Sequence, residues 1–574
     1  MVGSRSGRFS LLVATAAAAL AVACSWQSQG VSAAGFNYTE ATVYYNAAQD
    51  AFTLTVGVLD LKNGIVAATF NDSMNIDGWG TLRIEQTDRL VNHDSLKAFG
   101  TGFIEGALTA DRIWQAHVNL NARWGFNDTA GYPPYLIEFF EEQYGFMRNS
   151  TQQNATDPYW QYLSLLMDQF DGLGHGYNMY ADSDKRLTPL QLYIMNSAGD
   201  MEDLVGGLLV KQGLPYYLGM TRDRMVAVGM DPDNPQPPAE DAFPWDKIMQ
   251  DCSVLIKVLP GFEELLMAHA TWRDFGQLIR LYKFYDFTYD MAGLQSTTLS
   301  FSSSPSFLSS KDDFYVLDSG MVVMETTNSI LDQTLYQKLS PQTVLCWQRV
   351  MASNALAGTP QHWTEIFARY NSGTYNNQWQ VVQMGNFEQF FELPPGTFWI
   401  IEQIPGTTAA QDVTGFLNQN GYWPSYNIPY SPMIYNLSGY PAYFAKYGNQ
   451  FSYTENPRAT IFRRDHNNVV DLESMQTIMR YNEYQTDPLS LGDPANAIAS
   501  RYDLRPSGGS AFGAIDGKIT SVELALEYLG CIAINGPTAQ TQPPFSWSTS
   551  PFAANTTHLG HPDTFDFPWV LMLI

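Results

Sequence analysis

Cys252 stands at the junction between a proline-rich acidic segment, residues 231–240, and the apolar run 253–259. A thiol that a flexible linker presents at the first position of a buried strand could become a new N-terminus if the chain were cut after Asp251. The freed α-amino group, with an ordinary pKa of about 7.7–8.0, could then accept the thiol proton. This context predicts a nucleophile that carries its own base, attacks a carbonyl and forms an acyl-enzyme. The same attack on the peptide bond after Asp251 would explain the cut itself.

His269 is the first candidate partner of this thiol. It falls on the second strand of a hairpin predicted from the apolar runs 253–259 and 265–272, which flank a Pro-Gly turn. A histidine at this place could transfer a proton or donate a hydrogen bond to a substrate. Spacing alone favours the alternative, a hydrogen-bonded core histidine beside Trp272.

Asparagine-containing segments at 325–328, 371–377 and 425–430 offer side-chain amides of the kind that stabilise an oxyanion in acyl transfer. Taken singly, each segment is better explained by turn formation, for which Asn, Gly and Ser are favoured.

Several other chemistries have no support in the sequence. It contains no Gly-x-Ser-x-Gly elbow, His-Glu-x-x-His, paired Cys-x-x-Cys, EF-hand loop or phosphate-binding glycine loop, so no metal or other cofactor is expected. Beyond the leader, Cys252, Cys346 and Cys531 remain, an odd number that leaves at least one thiol unpaired. Cys346 and Cys531 have the context of small core residues.

Residues 1–33 carry arginines, an apolar run and a small-residue cleavage site, which together predict a secretory signal peptide. No later segment has the uninterrupted apolar length of a membrane span. A secretory route agrees with the acceptors for N-glycosylation, which are Asn37, Asn71, Asn127, Asn149, Asn154, Asn436 and Asn555. We therefore expect a soluble glycoprotein that is lysosomal or secreted.

The formal net charge is −26 at pH 7. Such a surface repels nucleic acid and anionic membranes, which argues against polyanion binding as the main function. The only strong break in composition is the segment near 231–251. A single large domain cut once at that segment is as consistent with the sequence as two domains.

Hydrophobic periodicity predicts an α+β protein, a sheet core covered by helical layers. Two strands are expected around the turn Lys62-Asn-Gly64. The predicted strands are 52–60, 64–70, 78–85, 253–259, 265–272, 314–317, 320–325, 380–384 and 397–402. The predicted helical segments are 95–121, 134–170 and 341–356.

A series of longer motifs resembles the phospholipase B-like family, also called the lamina ancestor family. In chain order they are ATFNDS at 68–73, GWG at 78–80, DCSVLIKVLPG at 251–261, AHATW at 268–272, METTN at 324–328, YNSGTYNNQ at 370–378, SYNIPY at 425–430, IFRRD at 461–465, SRYDL at 500–504, NGP at 535–537 and FDF at 565–567. The resemblance covers nearly the whole mature chain. Where animal members have a cysteine pair ahead of SRYDL, this chain reads DPANA at 493–497, which puts a local disulfide in doubt.

The resemblance implies an N-terminal-nucleophile hydrolase with a four-layer αββα fold, in which two stacked antiparallel sheets lie between helical layers. Such a chain is made as a precursor that cleaves itself between Asp251 and Cys252. Residues 34–251 and 252–574 then become two fragments of one composite domain that stay associated, and the segment at about 231–251 becomes a linker. Homodimerisation is left open.

Motif by motif, the resemblance gives each candidate residue an expected role. Cys252 matches the nucleophile, and His269 and Trp272 fall where the family lines its pocket. Thr326 and Thr327 fall on a strand that faces the nucleophile. Asn427 falls where a side-chain amide could serve the oxyanion.

The implied activity is the hydrolysis of an ester or amide bond in an acylated lipid. Within enzymes the alternative is an N-acyl amidase with the same mechanism. The alternative from another class is a secreted lipid-binding glycoprotein that has no catalytic turnover.

Overall fold

The computed structural model describes residues 37–126, 131–221, 225, 230–231, 234–235 and 251–574. The predicted signal peptide, most of the linker at 231–251 and the acceptor Asn127 lie outside these residues. Within the described ranges, no helix combines the length and the apolar character needed to cross a membrane.

The strands of the described chain alternate with helices in both halves. They are β1 (Asn37–Asn46), β2 (Ala51–Val56), β3 (Val66–Asp72), β4 (Gly80–Gln86), β5 (Cys252–Val258), β6 (Leu265–Asp274), β7 (Leu281–Asp286), β8 (Thr298–Ser303), β9 (Phe314–Leu317), β10 (Met321–Thr327), β11 (Asn377–Gln383), β12 (Phe398–Ile404), β13 (Thr407–Asp412), β14 (Tyr422–Ser425), β15 (Phe512–Ala514), β16 (Asp516–Ser521), β17 (Cys531–Asn535), β18 (Phe545–Ser546), β19 (Thr564–Phe565) and β20 (Val570–Met572).

The α-helices of the described chain are α1 (Asp94–Leu108), α2 (Ala110–Trp124), α3 (Pro134–Gln153), α4 (Pro158–Tyr180), α5 (Pro189–Asn196), α6 (Met201–Lys211), α7 (Cys346–Leu356), α8 (Pro360–Phe367), α9 (Thr414–Asn420), α10 (Pro432–Leu437), α11 (Tyr440–Tyr447), α12 (Pro457–Asp465), α13 (Leu472–Met479) and α14 (Val522–Tyr528).

Two large sheets organise these elements. The first has 11 strands in the order β13-β12-β11-β10-β9-β8-β7-β4-β3-β1-β2, and the second has 7 strands in the order β14-β5-β6-β16-β17-β20, with β15 paired to β6. Neighbouring strands run antiparallel, except that β4 and β7 are parallel. This one parallel pair joins strands from before and after the linker.

Three apolar clusters separate the layers. The largest lies between the first sheet and helices α1 to α8 and includes Phe103, Leu166 and Val323. The second lies between the two sheets and includes Val254, Met267 and Val322. The third covers the outer face of the second sheet with α11 to α13 and includes Leu266, Ile461 and Met475. The order is therefore helix, sheet, sheet, helix, and the predicted α+β class and four-layer αββα fold are confirmed.

The predicted hairpin forms as β5 and β6. Pro260 and Gly261 make its turn, and Gly261 has the positive φ of 71° that glycine adopts without strain. The register sets Cys252 opposite Thr271 and Val254 opposite His269. Every residue of β5 and β6 is buried, because both faces of this hairpin are covered, and this explains its nearly unbroken apolar sequence.

The structure corrects three expectations about elements. The strands on either side of Lys62-Asn-Gly64 form, but each pairs with β1 rather than with the other, because β1 lies between them. The predicted helix 95–121 is two helices that meet at Thr109, and 134–170 contains two helices separated by a turn ahead of Pro158. Proline at the first helical position begins a new helix because it has no N–H to lose.

Candidate active site

Cys252 is the first residue of β5, and its backbone is held on every side. Its N–H donates to Asn427 Oδ1 at 3.4 Å. The carbonyl oxygen of the preceding residue, Asp251, accepts a hydrogen bond from the Trp272 N–H at 3.0 Å. The Arg458 guanidinium donates to the Cys252 carbonyl oxygen. The peptide bond between Asp251 and Cys252 is therefore fixed at both of its polar atoms.

The Cys252 sulfur lies among polar side chains of both sheets. Sγ is 3.9 Å from Glu325 Oε1, and ligand atoms of Cys252, His269 and Glu325 all lie within 4.8 Å of one another. These residue types could coordinate a divalent metal ion. Hydrogen bonding already accounts for the contacts of the sulfur and of the imidazole, so the group needs no metal to explain its geometry. Cys252 itself is completely buried in this uncleaved chain.

His269 faces the sulfur from the neighbouring strand. Its Nε2 lies 2.9 Å from the carbonyl oxygen of Glu325, a contact in which the ring must donate. Nδ1 is then the acceptor and is 3.4 Å from the Thr271 hydroxyl. That hydroxyl accepts a hydrogen bond from Lys518 Nζ at 2.7 Å. The imidazole is thus fixed in one tautomer.

Burial holds each of these groups in its uncharged form. It raises the pKa of the Cys252 thiol well above the usual value, and Glu325 adds to this shift. It also keeps the pKa of His269 well below the usual value, an effect to which Lys518 contributes. The pKa of Glu325 is raised well above its usual value by burial and by Asp313. The thiol of the uncleaved chain is therefore not activated as a thiolate.

Asn427 is held in an uncommon conformation. Its φ of 68° lies in the left-handed region, which asparagine tolerates better than other residues with a side chain. The Asn427 Nδ2 donates to the Thr327 carbonyl oxygen at 2.7 Å, and the Tyr440 hydroxyl donates to the Asn427 carbonyl oxygen at 2.9 Å. In this uncleaved chain the Asn427 oxygen therefore holds the Cys252 nitrogen, and one of the two Asn427 amide hydrogens is donated to the Thr327 carbonyl oxygen.

Arg458, at the start of α12, ties the two sides of the site together. Nη2 donates to Asn427 Oδ1 at 2.6 Å and to the Tyr426 carbonyl oxygen at 2.7 Å, while Nη1 also reaches Ser253 Oγ at 3.1 Å. The guanidinium lies 4.3 Å from the centre of the Trp272 ring. Such a planar fork can hold several acceptors in fixed directions, which a lysine could not do.

The remaining predicted residues are placed differently. The Thr326 hydroxyl lies 2.5 Å from Ser425 Oγ, and the Thr327 hydroxyl donates to Glu325 Oε2 at 3.3 Å. Both threonines therefore lie on the strand that faces the hairpin. Trp272 follows Thr271 on the same strand, so its side chain lies on the opposite face of the sheet. Its ring packs in a cluster with Tyr502 on the outer face of the second sheet. The indole is thus near Arg458 but not on the face that carries Cys252 and His269.

Four functional candidates were not predicted: Glu325, Asp313, Tyr375 and Arg273. Tyr375 lies 3.2 Å from Glu325 Oε1 and also contacts Asp313 Oδ2, while Arg273 Nη2 donates to the Tyr375 hydroxyl at 2.6 Å. The available signal was a single acid in the strand sequence Met-Val-Val-Met-Glu, which is otherwise apolar up to Glu325.

The other predicted surface and core residues can be placed as well. Cys346 and Cys531 are buried and free, as expected for core residues. Of the glycosylation acceptors, the exposed ones are Asn149, Asn154, Asn436 and Asn555, whereas Asn71 is half-buried on β3 and the side chain of Asn37 is outside the described residues.

Comparison with known proteins gives one consistent family. The family described as Phospholipase B matches residues 66–572. Phospholipase B-like protein G of Dictyostelium discoideum is 39% identical, over 88% of this chain and 86% of that protein. Phospholipase B-like 1 of Homo sapiens is 37% identical over 93% and 91%, and Phospholipase B of Crotalus adamanteus is 36% identical over 93% and 92%. The chain belongs to the phospholipase B family.

Among solved structures, a mutant of the conjugated bile acid hydrolase from Clostridium perfringens aligns with 49% of this chain and 89% of its own. The identity is 9% and the TM-score 0.28. The fold assignment rests on the layers described above.

Proposed function

We propose that the protein is an acyl hydrolase that cleaves its own chain between Asp251 and Cys252 and then uses Cys252 as an N-terminal nucleophile. One observation carries the proposal. Cys252 begins a buried strand with its nitrogen, its sulfur and the preceding carbonyl oxygen each in contact with a group suited to the chemistry, namely Asn427, Glu325 and the Trp272 N–H.

Self-cleavage begins with attack of Sγ on the carbonyl carbon of Asp251. The Trp272 N–H already donates to that carbonyl oxygen, so it can stabilise the oxyanion as the charge develops. Collapse of the intermediate leaves a thioester on Cys252, which water hydrolyses. Asp251 then ends one fragment and Cys252 begins the other.

Turnover uses the same sulfur with the new amine as its base. The amine stays at the position where Asn427 Oδ1 now receives the Cys252 N–H, so the pair keeps its geometry. Sγ attacks the acyl carbonyl of a substrate, and water clears the acyl-enzyme. We assign the stabilisation of the substrate oxyanion to the Asn427 amide. His269 is assigned a hydrogen bond to the substrate, and Thr326 and Thr327 are assigned contacts with the substrate. Trp272 contributes through its N–H and by packing against Arg458.

For the substrate we propose the ester bond of an acylated lipid, because the relatives are named phospholipases B. An N-acyl amide is the second candidate, because the proposed self-cleavage is itself the attack of this sulfur on an amide bond. Ester and amide substrates with the same acyl chain distinguish the two, and hydrolysis of the amide alone would exclude the phospholipase assignment. A secretory or lysosomal glycoprotein is the proposed setting.

The test of the proposal is the variant Cys252→Ala. We expect loss of both cleavage and hydrolysis, because no other thiol lies at this bond; gel electrophoresis, N-terminal sequencing and a fluorogenic acyl ester measure the two. Cys531→Ala is the matched control, since it removes an equally buried thiol from the apolar layer between the two sheets. It should cleave and hydrolyse like the wild type.

Alkylation gives a second measurement of the same proposal. The uncleaved chain buries Cys252, so iodoacetamide should label this residue only after cleavage, with loss of activity. An active protein that remains a single chain would overturn the proposal. A Cys252→Ala variant that binds acyl lipids as well as the wild type, in a protein without turnover, would instead identify a binding glycoprotein.

A further inference from the structure

Two buried carboxyl groups, Glu325 and Asp313, lie near the Cys252 thiol, and the steps described above give neither of them a part. Glu325 Oε1 is 3.9 Å from Sγ and 3.2 Å from the Tyr375 hydroxyl. The same hydroxyl contacts Asp313 Oδ2, so the two carboxyl groups meet at one phenol oxygen, and Asp313 helps to raise the pKa of Glu325. All four side chains are buried.

A count of protons shows how this carboxyl pair is held. The Tyr375 hydroxyl accepts from Arg273 Nη2 and has one proton to donate, so it cannot donate to Asp313 and Glu325 together. Two carboxylates this close in a buried site cannot both be ionised. At least one of the two carboxyl groups is therefore protonated, and Arg273 offsets the negative charge that remains when the other is ionised.

We propose that Glu325 and Asp313 act as the proton relay of self-cleavage. Glu325 takes the Cys252 thiol proton while Sγ forms its bond to the Asp251 carbonyl carbon, and where Asp313 is the ionised member Glu325 passes its own proton to Asp313 in the same step. The pair then returns a proton to the Cys252 nitrogen, which receives the electron pair of the breaking C–N bond. Water next breaks the C–S bond, giving its hydroxyl to Asp251 and its proton to Sγ. The sum is one peptide bond and one water consumed, with one carboxyl group and one amine formed.

The relay rests on the proposed function, and within it the residues have different parts. Glu325 contacts the reacting sulfur and is the catalytic residue of this step. Asp313, Tyr375 and Arg273 are positioning residues. Arg273 Nη1 is also 3.7 Å from the Asp251 carboxylate, so one guanidinium connects Tyr375, which contacts both carboxyl groups, with the residue ahead of the scissile bond.

The pH dependence of cleavage follows from the groups around Glu325. Burial raises the pKa of both carboxyl groups, and Asp313 raises that of Glu325 further. The fraction of molecules in which the carboxyl pair carries a negative charge should rise with pH, and the cleavage rate should rise with it. The titratable and charged groups near Glu325 come from β5, β6, α7 and the loops ahead of β9 and β11. They are Asp251, Cys252, His269, Arg273, Asp313, Cys346 and Tyr375.

The experiment follows self-cleavage of the full-length chain made by cell-free synthesis and shifted to buffers between pH 4.5 and pH 8. Glu325→Gln keeps the size of the side chain but cannot relay a proton, and should slow cleavage by about 100-fold or more. Glu264→Gln is the matched control, since it is the same exchange at the far end of the same hairpin, at a glutamate whose pKa is also raised by burial. It should cleave at the wild-type rate.

Asp313→Asn tests the relay through the pH profile of cleavage, which would not move if Asp313 only supported the fold. Removal of the neighbouring carboxyl should lower the pKa of Glu325, so the acid limb of the cleavage profile should move to lower pH. Cleavage of Glu325→Gln at the wild-type rate, or an unmoved limb in Asp313→Asn, would overturn the relay and leave the proposed function standing. Cleavage in Cys252→Ala would overturn the proposed function itself.

Discussion

Cys252, His269 and Glu325 are all driven toward their neutral forms in the uncleaved chain, and cleavage would change this balance. The freed α-amino group would belong to Cys252 itself, and once it had taken up a proton it would place a positive charge beside the sulfur. An ammonium at that position lowers the pKa of the thiol and of the carboxyl pair, because it favours their ionised forms. On the proposed function, the uncleaved site would thus be the less reactive precursor of an activated one.

Glu402 is a second buried acid that bears on the site, through the loop that carries Asn427. Its carboxylate accepts hydrogen bonds from Gln378 Nε2 at 2.7 Å and from the N–H groups of Tyr430 and Ser431 at 2.8 and 2.7 Å. Burial raises the pKa of Glu402 to about 7 against the opposing effect of these donors. The loop is therefore anchored by a group that titrates near neutral pH.

Stability should reflect this titration. The pKa of Glu402 is higher in the folded protein than in the unfolded chain. Its contribution to the free energy of unfolding is therefore complete below the unfolded pKa and is lost as the pH rises through the folded pKa of about 7. The total loss is about 3 kcal/mol. Urea unfolding of the wild type and Glu402→Gln between pH 4 and pH 8 measures it. Between pH 4 and pH 8 the free energy of unfolding of the wild type should fall by this amount relative to that of the variant. A constant difference between the two would refute the assignment.

At the residue level the sequence located only part of the site. Cys252 was identifiable from its position between a linker and an apolar run, and the family motifs pointed to His269 and Asn427. The carboxyl pair was not predictable in the same way. Asp313 and Glu325 meet through Tyr375, which is distant from both along the chain, and such contacts depend on the pairing of strands rather than on spacing.

Strands β5 and β6 show what could be predicted at the scale of elements. Their apolar runs and the Pro-Gly turn gave the hairpin with errors of only one or two residues at its ends. The two strands around Lys62-Asn-Gly64 form as predicted, but the insertion of β1 between them was not predicted, because turn residues fix a reversal of the chain and not the strand that inserts beside it. The stacking of the two sheets came from the family resemblance and not from periodicity.

A buried ion pair connects helix α1 to strand β7 and thereby the two sides of the linker. Lys283 Nζ lies 2.6 Å from Glu105 Oε1, both side chains are completely buried, and the Tyr285 hydroxyl donates to the same carboxylate. Breaking such a pair leaves an uncompensated charge in the interior, whereas replacing both members removes the charge altogether.

Lys283→Met should therefore destabilise the protein by about 3–5 kcal/mol, and Lys283→Met combined with Glu105→Gln should recover much of this loss. Denaturant unfolding of the wild type, the single variant and the double variant gives the comparison. A double variant less stable than the single one would show that the ion pair is not the source of the effect.

The whole molecule is built so that a cut before Cys252 need not separate its parts. Strands β1 to β4 precede the linker and strands β7 to β13 follow it, yet they share one sheet through the parallel pairing of Gly80–Gln86 with Leu281–Asp286. The largest apolar cluster also takes residues from both sides, among them Phe103 and Val323. Backbone pairing and apolar burial are little affected by salt.

The two fragments of the cleaved protein should therefore elute as one species in gel filtration, at low salt and in 1 M NaCl alike, and separate only in denaturant. An association held by ion pairs between the fragments would give a different result. Salt would screen those pairs, and few of them are expected in a chain with a net charge of −26, so the fragments would separate in 1 M NaCl. Gel filtration followed by denaturing electrophoresis measures this. Release of residues 34–251 by salt alone would show that the shared sheet does not hold the cleaved molecule together.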